Sequence, residues 1–465
     1  MDNFNEFRKY FNKTFWKVFS NKNIFIDNPS NKEKFTKSVF KEIYFKKYYP
    51  SIPQLYIDIN KGNGVTRIIP VFSLKDYCVY YYCIKKLETK IAFNRIPNTF
   101  GGWTLGGLIR KNEEDEMIKR RMDYNKFEDF MAELNGISVS QHSFNPLAWA
   151  KAYGDLNSKL YASSKEKKYN FVAELDISNF YDSIRLDILE LKIREISDDK
   201  YSEIIAILFL FLNYWNRKTN SYNKQTVGIP QDALGDCSRI LANFYLQSYD
   251  KFVYEICKKT GCKYLRYADD QFIFSNSQEE LKYLIYMMSK KLNSMGLSVN
   301  QKKVRIFPTA GLIEYRAFKI FDIVKSSKDK NDKVKVETLV NKYIELVKEN
   351  KLAKIKDNGK SILTRILFCP ALKRIDVSKR NTIVNFLIDE NYLEFCRTNH
   401  LLKIYDLLEK NQKGKFVLKL KKLTKKLMHN SFHYEVLGFF DKYSIHTKLI
   451  KTRLKKLEQD LNLLI

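Results

Sequence analysis

The sequence holds few of the residues that build zinc sites, disulfide frameworks or membrane spans. Its seven cysteines are odd in number and form no Cys-x-x-Cys pair, and its five histidines do not cluster beside them. This pattern argues against zinc and indicates reduced thiols in a cytoplasm. No apolar stretch reaches membrane-spanning length, and the chain opens on the polar run Met1-Asp2-Asn3. We therefore expect a cytoplasmic protein without a signal peptide and without a membrane partner.

Acidic residues are too few to balance the basic ones. Lys and Arg number 82 against 53 Asp and Glu, which leaves a net charge of +29. A basic surface releases counterions from phosphate backbones and attracts polyanions, so this charge favours a nucleic-acid partner. A lysine-rich proteome would produce part of the same excess. The 465 residues, 45% of them hydrophobic, are enough for two or three domains.

Two adjacent carboxylates interrupt an apolar, aromatic-rich stretch at Tyr267-Ala268-Asp269-Asp270. The runs on either side have the pattern of buried strands, which makes the acidic pair the turn of a hairpin. Adjacent Asp residues repel each other and are costly to desolvate, so a cation is expected beside them unless the turn is simply solvated. Hard divalent ions such as Mg²⁺ prefer carboxylate oxygen.

A second acidic centre, Asp176, closes the strand-like run Phe171–Leu175. An Asp in this place is often only the N-cap of a following helix. Together with Asp269 and Asp270, however, it makes a set of carboxylates that can hold two metal ions for phosphoryl transfer.

Four segments resemble the palm motifs of reverse transcriptases and occur in that family's order. Asp176 matches the catalytic Asp of motif A, and Tyr267-Ala268-Asp269-Asp270 matches motif C. Gly228-Ile229-Pro230-Gln231 resembles the start of motif B, and Leu241-Ala242-Asn243 resembles its end. Met295–Lys303 resembles motif D. The resemblance extends over residues 60–320.

Motif B departs from the family pattern. Asp232 stands in place of a Gly, and Ser238-Arg239 stands in place of Ser-Pro. This ending is similar to that of the bacterial antiphage reverse transcriptases, the abortive-infection and unknown-group lineages. The sequence elements typical of retron enzymes, and the further domains usual in group II intron maturases, are not found.

The resemblance implies a site for two Mg²⁺ ions, with Mn²⁺ as an alternative. Asp176 and Asp269 would bind the ions, and Asp270 would bind or support the second. The backbone carbonyl of Ile177 would also reach a metal. The residues implied to bind the nucleotide are Tyr181, Gln231, Asn243, Arg67, Lys75 and Lys303.

Three of these nucleotide-binding assignments have competing interpretations. The ring of Tyr181 would exclude a ribose 2′-hydroxyl and so favour deoxynucleotides, or it could simply pack under the sheet. Lys302 competes with Lys303, because the register of motif D is uncertain by one residue. For Lys75, a solvated surface charge is the favoured interpretation.

The implied fold class is α+β, with the fingers and palm of a right-hand polymerase followed by an all-α C-terminal domain. A helical repeat is one form that this domain could take. We predict an N-terminal extension at 1–60, fingers at 61–165, a palm at 166–323, a linker at 324–335 and a basic helical domain at 336–465. Residues 331–465 carry 29 Lys and Arg against 15 Asp and Glu, about half of the net charge.

Two local signals within the predicted palm are specific enough to test. Ser277-x-x-Glu280 ahead of an apolar face predicts a helix that begins with a capping box. Residues 297–300 are predicted to return as a strand after that helix.

The leading hypothesis is an RNA-directed DNA polymerase of bacterial antiphage defence, located in the cytoplasm. It would use dNTPs and an RNA template or structured noncoding RNA, or no template with a hydroxyl of the protein as primer, and it would form a homo-oligomer. Two alternatives stay open: a retron-like or intron-type reverse transcriptase with a dedicated RNA, and an inactive palm that acts as a nucleic-acid-binding scaffold. The intact Asp176, Asp269 and Asp270 favour catalysis.

Overall fold

The computed structural model describes residues 2–13, 15–16, 19, 29–62, 65–92, 96–101, 105, 148–216, 227–231 and 236–464. The chain divides into two compact units. The first unit comprises Met1–Leu55 and Ile69–Thr309, and the second comprises Tyr56–Ile68 and Ala310–Ile465. The chain therefore leaves the first unit for a short segment of the second and then returns.

The strands form two sheets. They are β1 (Leu55–Asn60), β2 (Thr66–Val71), β3 (Thr99–Phe100), β4 (Phe171–Leu175), β5 (Lys263–Tyr267), β6 (Asp270–Ser275) and β7 (Arg305–Pro308). The first two strands pair with each other, and the other five form one sheet in the order β3-β5-β6-β4-β7. Among the described pairs of the five-stranded sheet, β3 and β5 run parallel and the other three pairs are antiparallel.

The centre of the larger sheet is buried on both faces. In β4, Val172, Ala173 and Leu175 have no exposed surface, and the same holds for the run 272–274 in β6. Continuous apolar runs of this kind, without polar alternation, are typical of strands covered on both sides. The sheet is therefore a rigid base, and the residues that follow its strand ends are held in fixed places.

Helices account for most of the remaining described residues of the first unit. They are α1 (Phe4–Lys9), α2 (Lys32–Tyr44), α3 (Leu74–Ala92), α4 (Ala148–Ser163), α5 (Leu186–Glu195), α6 (Ser202–Tyr214), α7 (Asp236–Tyr245), α8 (Gln247–Thr260) and α9 (Gln278–Ser294). The apolar run at 204–212 lies within α6, and most of its side chains are buried. Across the described parts of the chain, no helix combines the length and the apolar character that crossing a membrane requires.

Helix α9 confirms part of its sequence prediction. The predicted apolar face is buried at Leu281, Leu284, Met288 and Leu292. The Ser277 side chain accepts a hydrogen bond from the Glu280 backbone N–H at 3.2 Å, as a capping box requires. The Glu280 carboxylate instead accepts a hydrogen bond from the Ser275 hydroxyl, so the box is only half formed.

The predicted strand at 297–300 is found only in part. Val299 makes a single antiparallel bridge to Ile177, and the chain then turns through a 3₁₀ helix at Gln301–Lys303. The regular strand, β7, begins later at Arg305.

The described part of the second unit is helical apart from Tyr56–Ile68, which contains most of β1 and the start of β2. This stretch is called the hairpin segment below. The helices of the second unit are α10 (Thr309–Tyr315, which starts at the last residue of the first unit), α11 (Phe318–Phe321), α12 (Ser327–Asn331), α13 (Lys333–Lys348), α14 (Lys360–Leu367), α15 (Val377–Leu387), α16 (Glu390–Leu393), α17 (Thr398–Leu407), α18 (Lys410–Lys426), α19 (Asn430–Lys442) and α20 (Lys448–Leu464). They enclose a separate apolar core. The predicted fold class, α+β followed by an all-α C-terminal region, is confirmed.

The predicted linker, residues 324–335, contains the short helix α12. Ser326 and Asp329 form a complete capping box at its start. Asp332 then caps α13 by accepting hydrogen bonds from the N–H groups of Val334 and Lys335. Val324, at the beginning of the segment, is fully buried, whereas most of the remaining side chains are exposed.

Asn430 attaches the hairpin segment to α19 across 372 residues of sequence. Its side-chain oxygen accepts from the Asp58 N–H at 2.9 Å, and its side-chain nitrogen donates to the Tyr56 carbonyl at 2.9 Å. The Asn430 backbone N–H donates to the Asp58 carboxylate at 2.5 Å. Asn430 is 1% exposed, so these bonds form away from water. The hairpin segment is therefore an integral part of the second unit.

We expect Asn430→Ala to loosen the hairpin segment without disturbing the first unit. The substitution leaves the Asp58 N–H and the Tyr56 carbonyl without these partners, which costs about 1–3 kcal/mol. In hydrogen–deuterium exchange, amides of peptides covering residues 56–60 should exchange faster, whereas peptides from β4 and β6 should not change. Asn411→Ala, at an exposed position of α18, is the matched control. Unchanged protection at 56–60 would contradict the prediction.

Candidate active site

Asp176 follows the end of β4 and is 5% exposed. Its Oδ2 atom is 3.0 Å from the Lys303 ammonium and 3.2 Å from the Asn300 side-chain nitrogen. The Asp176 backbone carbonyl also accepts from the Asn300 N–H at 2.8 Å. The turn through residues 300–303, which replaces the predicted strand, is what brings Lys303 to this carboxylate. Of the two competing lysines, Lys303 is therefore the one seen against Asp176.

Asp269 and Asp270 lie at the turn between β5 and β6. Tyr267 pairs with Asp270, so Ala268 and Asp269 are the two residues of the hairpin loop. The register of β4 against β6 places Leu175 opposite Gln271. Because the two strands run antiparallel, the next residue of β4's chain, Asp176, and the preceding residue of β6, Asp270, come to the same edge of the sheet. The sheet thus brings the three predicted carboxylates together.

The hairpin loop has an unfavourable backbone conformation. Ala268 has a φ of +53°, in the left-handed region. Residues with a Cβ rarely adopt this conformation, which costs about 1–2 kcal/mol. Glycine would adopt it freely, and hairpins commonly use glycine there. The surroundings must therefore hold Ala268 in place.

The electrostatic state of Asp269 reflects the crowding of charge. Burial, followed by the negative charges of Asp270 and then Asp176, raises the pKa of the Asp269 carboxyl from 3.8 to about 6. Lys303 acts in the opposite direction. A buried carboxyl whose ionisation is opposed by two neighbouring carboxylates is a site at which a cation would bind favourably.

The donor chemistry of this edge fits a hard divalent ion. Carboxylate oxygens from Asp176, Asp269 and Asp270 are the ligands that Mg²⁺ prefers. As the side chains stand, no three His, Cys, Asp or Glu groups in the described parts of the chain converge into a complete ligand set. Metal binding would therefore require side-chain rotation and release of the Asp176 carboxylate from Lys303.

The backbone of Ile177, a predicted metal ligand, pairs with the segment that contains Val299. Its bridge to Val299 is flanked by hydrogen bonds from Asn300 N–H to the Asp176 carbonyl and from Ser178 N–H to the Ser298 carbonyl. In an antiparallel pair bonded in this way, the carbonyl of the central residue points away from the partner segment. The Ile177 carbonyl is thus directed away from residues 298–300.

Gly228 fixes the backbone of Tyr181. Gly228 has a φ of +75°, and a Cβ at this position would lie 2.6 Å from the Tyr181 carbonyl oxygen and 2.7 Å from the Asp182 Cα. The neighbouring Ile229 N–H donates to the Tyr181 carbonyl at 2.9 Å. Only glycine fits here, for both conformational and steric reasons. The start of motif B and the predicted ribose-gating residue are thus in direct contact.

The remaining nucleotide-binding predictions fall in different places. Gln231 is half-buried just after this contact, and residues 232–235, including Asp232, lie outside the described residues. The Lys75 ammonium is 2.9 Å from the Glu42 carboxylate and lies over the Tyr48 ring. Arg67 is exposed on β2 in the second unit.

Asn243 is buried behind the hairpin loop rather than at its open edge. Its side-chain nitrogen donates to the carbonyls of Gly101 and Arg239 at 3.1 and 2.9 Å. Its side-chain oxygen accepts from Arg266 at 2.6 Å. Sequence reasoning missed Arg266 and its partner Asp250. The signal for Arg266 was present, because a cation inside a buried strand requires an anionic or polar partner.

Asp269→Asn should change the pH dependence of stability of the first unit. Because the folded-state pKa of Asp269 is raised, its contribution to the free energy of unfolding is greatest below pH 4 and is lost as the pH rises through about 6. The Asn side chain does not titrate. Relative to wild type, the variant should therefore gain up to about 3 kcal/mol between pH 4 and pH 7.

Tryptophan fluorescence during urea unfolding measures this difference, since all four tryptophans belong to the first unit. The experiment is run in EDTA, with Asp199→Asn as an exposed carboxylate control. If the carboxylates bind Mg²⁺, adding it should reduce the difference in free energy of unfolding between wild type and Asp269→Asn at pH 7. If Asp269→Asn and Asp199→Asn showed the same pH dependence of the free energy of unfolding, the raised pKa of Asp269 would be contradicted.

Comparison with known proteins agrees with this geometry. Residues 111–337, just under half of the chain, match the family described as reverse transcriptase (RNA-dependent DNA polymerase). The match includes Asp176, Asp269, Asp270 and Lys303.

Two solved structures resemble the chain more distantly. They are telomerase from Candida albicans with a TWJ fragment of telomeric RNA, at 13% identity and a TM-score of 0.33, and apo telomerase from Candida tropicalis, at 12% identity and a TM-score of 0.34. The alignments cover 90% and 95% of this chain and 67% and 74% of those chains, respectively. These two similarities are too weak to assign a function. The family match over residues 111–337, together with the sheet edge that carries Asp176, Asp269 and Asp270, indicates that the chain contains a reverse transcriptase domain.

Proposed function

We propose that the protein synthesises DNA from dNTPs by metal-dependent nucleotidyl transfer. The observation that carries the proposal is the convergence of Asp176, Asp269 and Asp270 at one edge of a buried sheet, within the segment that matches reverse transcriptases. Two Mg²⁺ ions, with Mn²⁺ as a substitute, would lower the pKa of the attacking hydroxyl and stabilise the leaving pyrophosphate.

Each residue of the edge has a distinct part in this proposal. Asp176 and Asp269 would hold the ions, Asp270 would bind or support the second, and the Ile177 carbonyl would supply a neutral oxygen. Lys303, released from Asp176, is within reach to neutralise phosphate charge. Its ammonium lies 3.0 Å from the Asp176 carboxylate, so this edge already attracts positive charge.

The template and product are proposed to be RNA and DNA, held in part by the second unit. Helix α18 carries eight lysines and no acidic residue, and its apolar face, with Phe416, Leu420 and Leu423, is buried in the helical core. Four of these lysines, Lys410, Lys415, Lys422 and Lys425, are exposed and can contact phosphates. We further propose a role in bacterial antiphage defence and assembly into a homo-oligomer, on the resemblance of motif B, and a cytoplasmic location, on the cysteine pattern of the sequence.

The deciding experiment is dNTP incorporation by purified protein with Mg²⁺, with and without added RNA. Asp269→Asn should reduce incorporation by about 100-fold or more, because several kcal/mol of charge stabilisation depend on the metal site. Asp199→Asn, at an exposed position of the same unit, should leave it unchanged. Products are resolved on denaturing gels before and after protease treatment.

The outcomes separate the competing functions. RNA-dependent product that is lost in Asp269→Asn supports a templated reverse transcriptase, and copurification of one discrete RNA would favour the retron-like or intron-type alternative. Product made without RNA that shifts after protease supports untemplated, protein-primed synthesis. Absence of product under all conditions, with retained nucleic-acid binding, would favour the scaffold, in which Lys303 permanently neutralises Asp176. Plating phage on bacteria that express wild type or Asp269→Asn tests the defence role.

Tyr181→Ala should relax discrimination against ribonucleotides. If the ring excludes a 2′-hydroxyl, its removal should raise the ratio of kcat/KM for rNTPs to that for dNTPs by about 10–100-fold, since a steric contact of this size contributes about 1–3 kcal/mol. Tyr181→Phe keeps the ring and should retain the wild-type ratio. A lower melting temperature with an unchanged ratio would instead assign Tyr181 to packing against the core.

A further inference from the structure

A buried ion pair lies directly behind the hairpin loop that carries Asp269. Arg266 is 0% exposed and Asp250 is 2% exposed. The Arg266 Nε donates to one Asp250 oxygen at 2.7 Å, and its Nη2 donates to the other at 2.5 Å. Buried ion pairs of this kind gain little net stability over apolar residues of similar size, because both charges must be desolvated. Stability alone is therefore a poor explanation for the pair.

The third nitrogen of the guanidinium contacts the loop itself. The Arg266 Nη1 donates to the Ala268 carbonyl at 2.7 Å. Ala268 is the residue with a φ of +53°, and its carbonyl belongs to the peptide that enters Asp269. Holding this oxygen fixes the plane of that peptide, and so fixes the direction in which the Asp269 side chain leaves the backbone. The bond thus opposes relaxation of the strained residue.

Asn243 holds the guanidinium from the other side. Its side-chain oxygen accepts from the same Nη1 at 2.6 Å, while its nitrogen donates to the Gly101 and Arg239 carbonyls. With 1% exposure, the Asn243 side chain has its hydrogen bonds inside the protein. The residue that family resemblance assigns to the nucleotide pocket is here bonded to the support of the metal-binding loop.

We propose that Arg266 is a positioning residue that holds the Ala268–Asp269 loop in its metal-binding conformation, and that Asp250 and Asn243 act by orienting Arg266. The inference rests on the proposed function, since it concerns how the carboxylates of that site are placed. It requires the planar fork of arginine, because a single ammonium cannot contact the Asp250 carboxylate through two nitrogens and the loop through a third.

The test combines direct Mn²⁺ binding, measured by electron paramagnetic resonance, with steady-state kinetics. Arg266→Lys keeps the charge and removes the fork. It should weaken Mn²⁺ binding at least tenfold and lower kcat at least tenfold, while the KM for dNTP changes less than twofold. Ala268→Gly removes the conformational cost of a positive φ. The double variant Arg266→Lys with Ala268→Gly should therefore recover part of the Mn²⁺ affinity that the single variant loses.

A matched control separates positioning from general destabilisation. Lys85 and Glu88 form another buried ion pair of the first unit, with side chains 1% and 5% exposed. Glu88→Gln should lower the melting temperature without changing Mn²⁺ affinity. If Arg266→Lys behaves in the same way, or if Ala268→Gly gives no recovery, the proposal is overturned.

Asn243→Ala provides a second variant that keeps the Arg266–Asp250 pair, should Arg266→Lys fail to fold. It should weaken Mn²⁺ binding and leave the KM for dNTP unchanged. A raised KM with unchanged Mn²⁺ affinity would place Asn243 in the nucleotide pocket and refute the inference.

Mn²⁺ binding also separates this inference from the proposed function. Wild type that binds Mn²⁺ through Asp269, but incorporates no dNTP, would contradict the function and leave the positioning role supported or refuted by the binding data. An active wild type whose Arg266→Lys variant is equally active would refute only the positioning role. Wild type that binds no Mn²⁺ would overturn both.

Discussion

Mutual repulsion of three carboxylates at one sheet edge is the constraint around which the first unit is built. Asp176 and the Asp269–Asp270 pair come from strands far apart in sequence, and only the register of β4 against β6 brings them together. The apolar strands behind them cannot slip by one residue without turning their buried side chains to the opposite face. Packing of the hydrophobic sheet therefore offsets the free-energy cost of concentrating negative charge. That cost is reflected in the raised pKa of Asp269.

Departures from ordinary local preferences gather at the same place. Ala268 occupies a left-handed conformation, Arg266 is a fully buried cation, and Gly228 leaves no space for a side chain over the Tyr181 backbone. A folded chain tolerates such features where activity requires them and compensates elsewhere. Here the compensation is visible as hydrogen bonds: the guanidinium is bound on all three nitrogens, and the Tyr181 carbonyl is bound by Ile229.

The sequence was sufficient for features that depend on neighbours in the chain. Apolar, aromatic-rich runs on both sides of the acidic pair predicted the β5–β6 hairpin, and the apolar spacing predicted the buried face of α9. The sequence was insufficient where a side chain has several possible hydrogen-bond partners. Glu280 binds Ser275 instead of completing the capping box, and Arg266 finds Asp250 in the preceding helix. The predicted strand at 297–300 is reduced to one bridge, because the chain turns there to bring Asn300 and Lys303 against Asp176.

The attachment of the hairpin segment to Asn430 has a consequence for how the protein is made. Asp58 and Asn430 are separated by 372 residues. At a translation rate of about 5–20 residues per second, roughly 20–70 s pass between synthesis of the hairpin segment and synthesis of its partner helix. During that interval the first unit can fold around β4, β5 and β6, while residues 56–68 have been synthesised but still lack their partner helix. The second unit is thus the last to complete its fold, and its completion requires a segment that was among the first to be synthesised.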